Sequence, residues 1–168
     1  MNTVAALEPM PPRASSLWRK FLVDPVLTQL RQGITPEKIA ATIAASVALG
    51  IFPVLGSTTL LCTLAGVFFR LNQPVLQAVN FAVYPLQLGL IPLFIRLGET
   101  LYGAPHLPFS IPQLLAKFKA APLAFFHDFA MTFVHCVSAW LLVVPWVSLA
   151  LFYLLRPVLK RIAGGLGR

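Results

Sequence analysis

Three groups of residues in this 168-residue chain carry chemistry by their type and spacing. The first is Ser57-Thr58-Thr59, which follows directly on the apolar turn Gly50-Ile51-Phe52-Pro53-Val54-Leu55-Gly56. Three hydroxyls at a helix start join unpaired N–H groups and the positive helix end, a combination that favours an anion. Transporters hold carboxylate or phosphate at such half-helix ends. The plainer role of Ser57 is to cap its own helix. The second group is Asn80, Tyr84 and Gln87, set around Pro85 and Pro92. In a helix these prolines free the carbonyls of Phe81 and Leu88. Free carbonyls beside side-chain amides can coordinate a cation or bind a headgroup; packing against neighbouring helices is the structural alternative. The third group is Asp128, Thr132 and His135, on one helix face two turns long, with Arg96 and Glu99 approaching the same side. Ionisable groups near a span are expensive and serve as proton relays, although those near a span end can snorkel; His135 lies deepest. The candidate substrate-binding set is therefore Ser57, Thr58, Thr59, Asn80, Gln87 and His135, with Gly50, Pro53 and Gly56 forming the structural turn.

Other chemistries find little support. His106, His127 and His135 lack the spacing of a zinc protease, and no Walker, GxSxG or dinucleotide fingerprint occurs. Cys62 and Cys136 sit inside apolar runs without CxxC spacing and read as small buried hydrophobes. Five carboxylates leave little for acid–base catalysis. The expectation is no catalytic residue, no metal and no cofactor.

The elements that must position these groups are helices. Thr35-Pro36-Glu37 is a helix start: a capping hydroxyl, a proline suited to the first turn and an acid at the positive end. The helix it opens runs from about Lys38 to Phe52, some 22 Å long, and Ala40, Ala44 and Ala48 repeat every four residues, which lets another helix approach closely. A second helix from Ser57 to about Phe69 is near 20 Å. Both fall short of the roughly 30 Å hydrocarbon core, so residues 35–70 read as a hairpin that either re-enters or crosses tilted. Arg70-Leu71-Asn72-Gln73-Pro74 is a polar break. Apolar crossings follow at 75–97, with Pro85 and Pro92, and at 124–160, with Pro145. The intervening 98–123 is irregular, with a short surface helix from Ile111 to Lys119. Residues 1–32 read as a Pro-rich tail and an amphipathic interfacial helix, Leu17 to Leu30, in which Trp18, Arg19 and Lys20 sit at headgroup level and Pro25 kinks or divides the helix.

Composition fixes the setting. Hydrophobic residues make up 58% of the chain and charged residues 11%, against roughly 25% charged in an ordinary soluble domain. So much apolar surface does not fit the core of a small soluble enzyme, and it excludes disorder. The net charge of +8 is not a nucleic-acid signature, because no aromatic–basic interleaving accompanies it. Ten basic residues fall on the side of the two termini and Arg70, while Arg96, Lys117 and Lys119 fall on the other. The positive-inside rule then makes both termini cytoplasmic. Met1 to Pro12 has no signal-peptide pattern, so insertion is expected to use segments that stay in the protein.

The turn Gly50-Ile51-Phe52-Pro53-Val54-Leu55-Gly56-Ser57-Thr58-Thr59, the break Arg70-Leu71-Asn72-Gln73-Pro74 and the Pro85 segment ending in Leu97-Gly98 carry a family resemblance. Over Gly33 to Gly103 the chain resembles the bacterial membrane family called domain of unknown function 2062. Tyr84-Pro85-Leu86-Gln87 stands where that family has an Asn-Pro-x-Thr element. The resemblance implies a bacterial multi-pass membrane protein and brings no catalytic residues with it.

Together these readings predict an all-α, multi-pass helical bundle in the bacterial inner membrane, with a short helical hairpin and Pro-interrupted crossings. The expected activity is that of a small transporter or a lipid- or anion-handling protein acting at the hairpin turn. The alternative is a non-catalytic adaptor or assembly factor whose small-residue helix binds partner helices. Membrane lipids are the expected partners, together with a second copy of the chain or a membrane partner, because 168 residues make a thin wall for a pore.

Overall fold

The computed structural model describes residues 23–106 and 110–166, without the side chains of Ile111 and Leu166. Trp18, Arg19, Lys20 and the rest of the expected tail lie outside the described residues. Those described form six helices and no strand: α1 (Asp24–Arg31), α2 (Pro36–Gly50), α3 (Thr58–Phe68), α4 (Gln73–Tyr102), α5 (Ile111–Ala120) and α6 (Pro122–Leu166).

The polar breaks in the sequence are the corners of this fold. Pro25 stands in the first turn of α1 rather than dividing it, because a first-turn N–H needs no helical partner. Thr35 accepts from the Lys38 N–H and starts α2. At the end of α3, Arg70 N–H donates to Val67 O and Leu71 N–H to Gly66 O, with Arg70 in the left-handed region at φ 52°. This is the Schellman arrangement, usually built on glycine. Asn72 then does three things. Its Oδ1 caps the Val75 N–H, its Nδ2 donates to Gln29 Oε1 of α1 at 2.6 Å, and its backbone N–H donates to Thr42 Oγ1 of α2. The Arg-x-Asn-x-Pro break is therefore a structural joint.

α2 lies at the centre and its small residues explain why. Ala40, Ala44 and Ala48 are 0, 2 and 5% exposed, so the small-residue stripe is covered by the chain's own helices. α2 runs parallel to α4 with a constant offset of 30 residues: Asn72 meets Thr42, and Ser46 Oγ donates to Leu76 O at 2.6 Å. One step further, a Cβ on Gly50 would touch Asn80 Oδ1 at 3.3 Å. Against α6, Trp140 Nε1 donates to the Ala48 carbonyl at 3.2 Å, and its ring meets Phe52 edge-on. One apolar cluster, with Phe94, Ala139 and Val144, fills this level; a second, with Ile39, Val75 and Leu159, fills the level of the charged end. There Glu37 reaches Lys160 at 2.7 Å and Arg156 at 3.6 Å, and the hydrogen bond from Lys160 holds its carboxyl below the ordinary value.

The prolines do not interrupt the long helices. α4 is continuous through Pro85 and Pro92, and α6 through Pro145 and Pro157. All four rings sit on exposed surface, and each removes one backbone bond from a ladder long enough to survive it. α4 and α6 are long and apolar enough to cross a membrane, by length and composition. Only 22% and 17% of their most apolar stretches are buried, unlike the core helix of a soluble protein.

Candidate functional site

The hairpin turn lies beside the middle of α4. Gln87, midway along that helix, is fully buried, and its Nε2 donates to Phe52 O at 2.7 Å and to Val54 O at 3.4 Å. Ser57 Oγ also donates to Val54 O, at 2.9 Å. Ser57 therefore does not cap α3, and no side-chain cap is present there. Its hydroxyl instead holds the turn closed together with Gln87, while Gly56 supplies the φ of 84° that the turn requires.

From this latch a row of carboxamides climbs the face of α4 that meets α3. Asn80 Nδ2 approaches Thr59 Oγ1 at 3.4 Å. Gln77 Nε2 donates to Thr63 Oγ1 at 3.0 Å and reaches Thr59 O at 3.4 Å. Gln73 Nε2 donates to Thr63 O at 3.0 Å, close above Gly66, where a Cβ would collide with it. The two helices run antiparallel, so the seam is a zip of amides against threonines and backbone carbonyls.

The other end of these amides is unusual. Gln77 Oε1, Asn80 Oδ1 and Gln87 Oε1 are buried and have no hydrogen-bond partner. At Gln77 and Gln87 the amide orientation is settled by its neighbours, because a backbone carbonyl can only accept and so must face the NH₂ group. The groups left over are therefore acceptors. An unmet acceptor away from water costs about 1–3 kcal/mol, and the great majority of buried polar atoms are paired. Thr58, also buried, opens α3 beside them, where the N–H groups of the first turn lack intrahelical acceptors.

Five of the six sequence candidates thus gather at the turn and seam: Ser57 and Gln87 at Val54, Thr59 with Asn80, and Thr58 at the helix start. His135 does not join them. It lies at the level of Gly98, about 16 Å further along α4 than Gln87, where a Cβ on Gly98 would meet the His135 backbone at 2.5 Å. Its ring stacks on Tyr102 at 4.3 Å and its Nδ1 is buried without a partner. Glu99, next to Gly98, is 1% exposed, with its Oε2 2.8 Å from both Arg96 Nη1 and His106 Nδ1. Asp128 is 60% exposed beside His127.

Gln73, Gln77 and Thr63 were not singled out from the sequence. A signal for them exists: Gln73, Asn80 and Gln87 are spaced by seven, as are Gln77 and Tyr84, which makes one polar stripe in an otherwise apolar helix. No curated protein and no solved structure matches the chain. A family model matches residues 19–164, wider than the stretch whose motifs carry the resemblance and including the joint, the turn, the amide seam and α6. The chain accordingly belongs to the family described as an uncharacterized protein conserved in bacteria (DUF2062).

Proposed function

We propose that this chain is a multi-pass protein of the bacterial inner membrane, with both termini cytoplasmic, that moves or holds a small solute or lipid headgroup at the α3–α4 seam. Two observations support the membrane setting. Leu60, Leu64, Val67 and Phe68 of α3 are 58–80% exposed, and α4 and α6 are bare in the same way, a surface that water does not tolerate in large patches. The basic residues also crowd at one end. In this reading α4 crosses the bilayer, and the hairpin, whose turn stands beside Gln87, re-enters to half its depth. Irregular backbone at that depth is tolerated where protein covers it, which is the service the Gln87 latch performs.

The observation that carries the functional reading is the fully buried, unpartnered amide oxygen of Gln87, with a second buried amide atom left unmet on Asn80. An apolar side chain at position 80 would remove an unmet polar atom with the loss of only a 3.4 Å contact. Carboxamides at this depth are useful when a ligand with donor groups arrives. The first-turn N–H groups of α3 offer the complementary donors, so the seam suits a solute or headgroup that carries both an anionic oxygen and a hydroxyl or ammonium. Ala40, Ala44 and Ala48 face the chain's own helices, so an adaptor would bind partners through other faces.

Asn80→Leu, close in shape, tests this. The expected result is a variant that melts at or slightly above the parent's temperature in detergent but loses the small molecule or headgroup seen bound in native mass spectrometry. A variant that keeps the same bound species as the parent, or a parent that carries none, overturns the reading.

A further inference from the structure

We propose a second site, separate from the seam: a cleft under α1 that takes one acyl chain of an anionic phospholipid from the cytoplasmic leaflet. The cleft holds about 420 Å³ and is lined by aliphatic side chains, among them Val26 and Leu27 of α1, Ile43 and Val47 of α2, and Val79 and Val83 of α4. Its direction follows from the helix register. Ile43 and Val47 lie about 10 and 16 Å from the start of α2, and Val79 and Val83 about 9 and 15 Å from the start of α4. Since α2 and α4 are parallel with an offset of 30 residues, Ile43 and Val47 stand level with Gln73 and Gln77, and the lining descends from Ile43 through Val47 and Val79 to Val83 over about 15 Å of one vertical slot. Ile162 of α6 lines it near the charged end, two residues beyond the Lys160 that binds Glu37. The slot thus opens where the basic residues are and runs inward, dry throughout, as an extended hydrocarbon chain requires. α1 above it has no buried residue, so this helix does not fill the space it covers.

Charge selects the headgroup. Lys160 and Arg156 are engaged by Glu37, but Arg31, Lys38 and Arg161 form no ion pair among the described residues. Arg31 stands one turn from Leu27 on the same face of α1, and Arg161 adjoins Ile162. An acyl chain in the slot therefore places its phosphate among unneutralised cations, where each contributes to binding an anionic lipid.

The proposal rests on the membrane setting and not on the amide seam. Its test uses the full chain in nanodiscs of equal parts phosphatidylglycerol and phosphatidylcholine, extracted into detergent and read by native mass spectrometry. The parent is expected to retain one phosphatidylglycerol per chain. Ala82 of α4 also lines the slot; Ala82→Phe, which fills it, should lower that retention at least tenfold without lowering the melting temperature, and Val47→Met serves as a second filling variant should the first fail to fold. Arg31→Gln with Arg161→Gln should retain both lipids equally. Equal retention of the two lipids by the parent, or unchanged phosphatidylglycerol in the filled variants, overturns the proposal. So does lipid retention that appears only after residues 1–22 are deleted, because the occupant is then the chain's own N-terminal segment. A chain that carbonate strips from membranes removes the membrane setting itself, whereas an inserted chain that keeps no phosphatidylglycerol removes this site alone.

Discussion

Arg70 holds a backbone conformation that glycine adopts freely, with φ at 52°. The comparable helix ends at α1 and α4 use Gly33 and Gly103. A left-handed conformation costs an L-residue roughly 1–2 kcal/mol, yet arginine supplies the single charge between Ile39 and Ile95. In the proposed disposition its charge is an anchor at the charged end, held against the preference of the backbone. Arg70→Gly should therefore be about 1 kcal/mol more stable than Arg70→Ala, measured as the difference in chemical denaturation in detergent; both lose the charge, so the contrast isolates the backbone. Gln87 works differently. Gln87→Met keeps the shape but strips the donor from the Phe52 and Val54 carbonyls, and a destabilisation of about 1–3 kcal/mol is expected. An equal melting temperature would mean that Ser57 alone keeps the turn closed.

At the scale of the element, two contacts set the geometry. α2 and α4 approach through Ser46 and Gly50, small enough for a side-chain hydroxyl to reach the neighbouring backbone. α4 and α6 approach through Gly98, where the obstacle to a Cβ is the His135 main chain rather than a flexible side chain. Gly98→Ala should thus cost about 1–3 kcal/mol by overpacking, read as a lower melting temperature, while Gly89→Ala in the same helix, with open space around it, should cost nothing. This contrast separates close packing from helix propensity, which favours alanine at both positions. The helices themselves were legible in the sequence: Thr35-Pro36-Glu37, the glycine–proline turn and Ile111 each mark an element boundary. The prolines misled, because each removes a single bond and helices of 30 and 45 residues have many others.

For the whole molecule, the proposed disposition makes a direct prediction. With Cys62 and Cys136 replaced by serine, a cysteine at position 70 should react with a membrane-impermeant maleimide only from the cytoplasmic side, and one at position 117 only from the other. Labelling of both from one side would remove the crossing by α4. The same disposition puts the seam and the lipid cleft on different faces of the α2–α4 pair, so Asn80→Leu should leave phosphatidylglycerol retention unchanged.

The sequence by itself determined the helical class, the turn and the joints, because caps, prolines and glycines act on neighbours within a few residues and leave a local signature. It also placed Ser57, Thr59, Asn80 and Gln87 among the candidates by type. What the tertiary structure decided was pairing. Ser57 turns back on Val54 rather than capping its helix, His135 falls at another level of α4, the alanine stripe is covered from within, and the amide oxygens of the seam are left unmet. Each depends on which helix lies beside which and in what register, and that is fixed by contacts between residues tens of positions apart, such as Ser46 with Leu76 and Trp140 with Ala48.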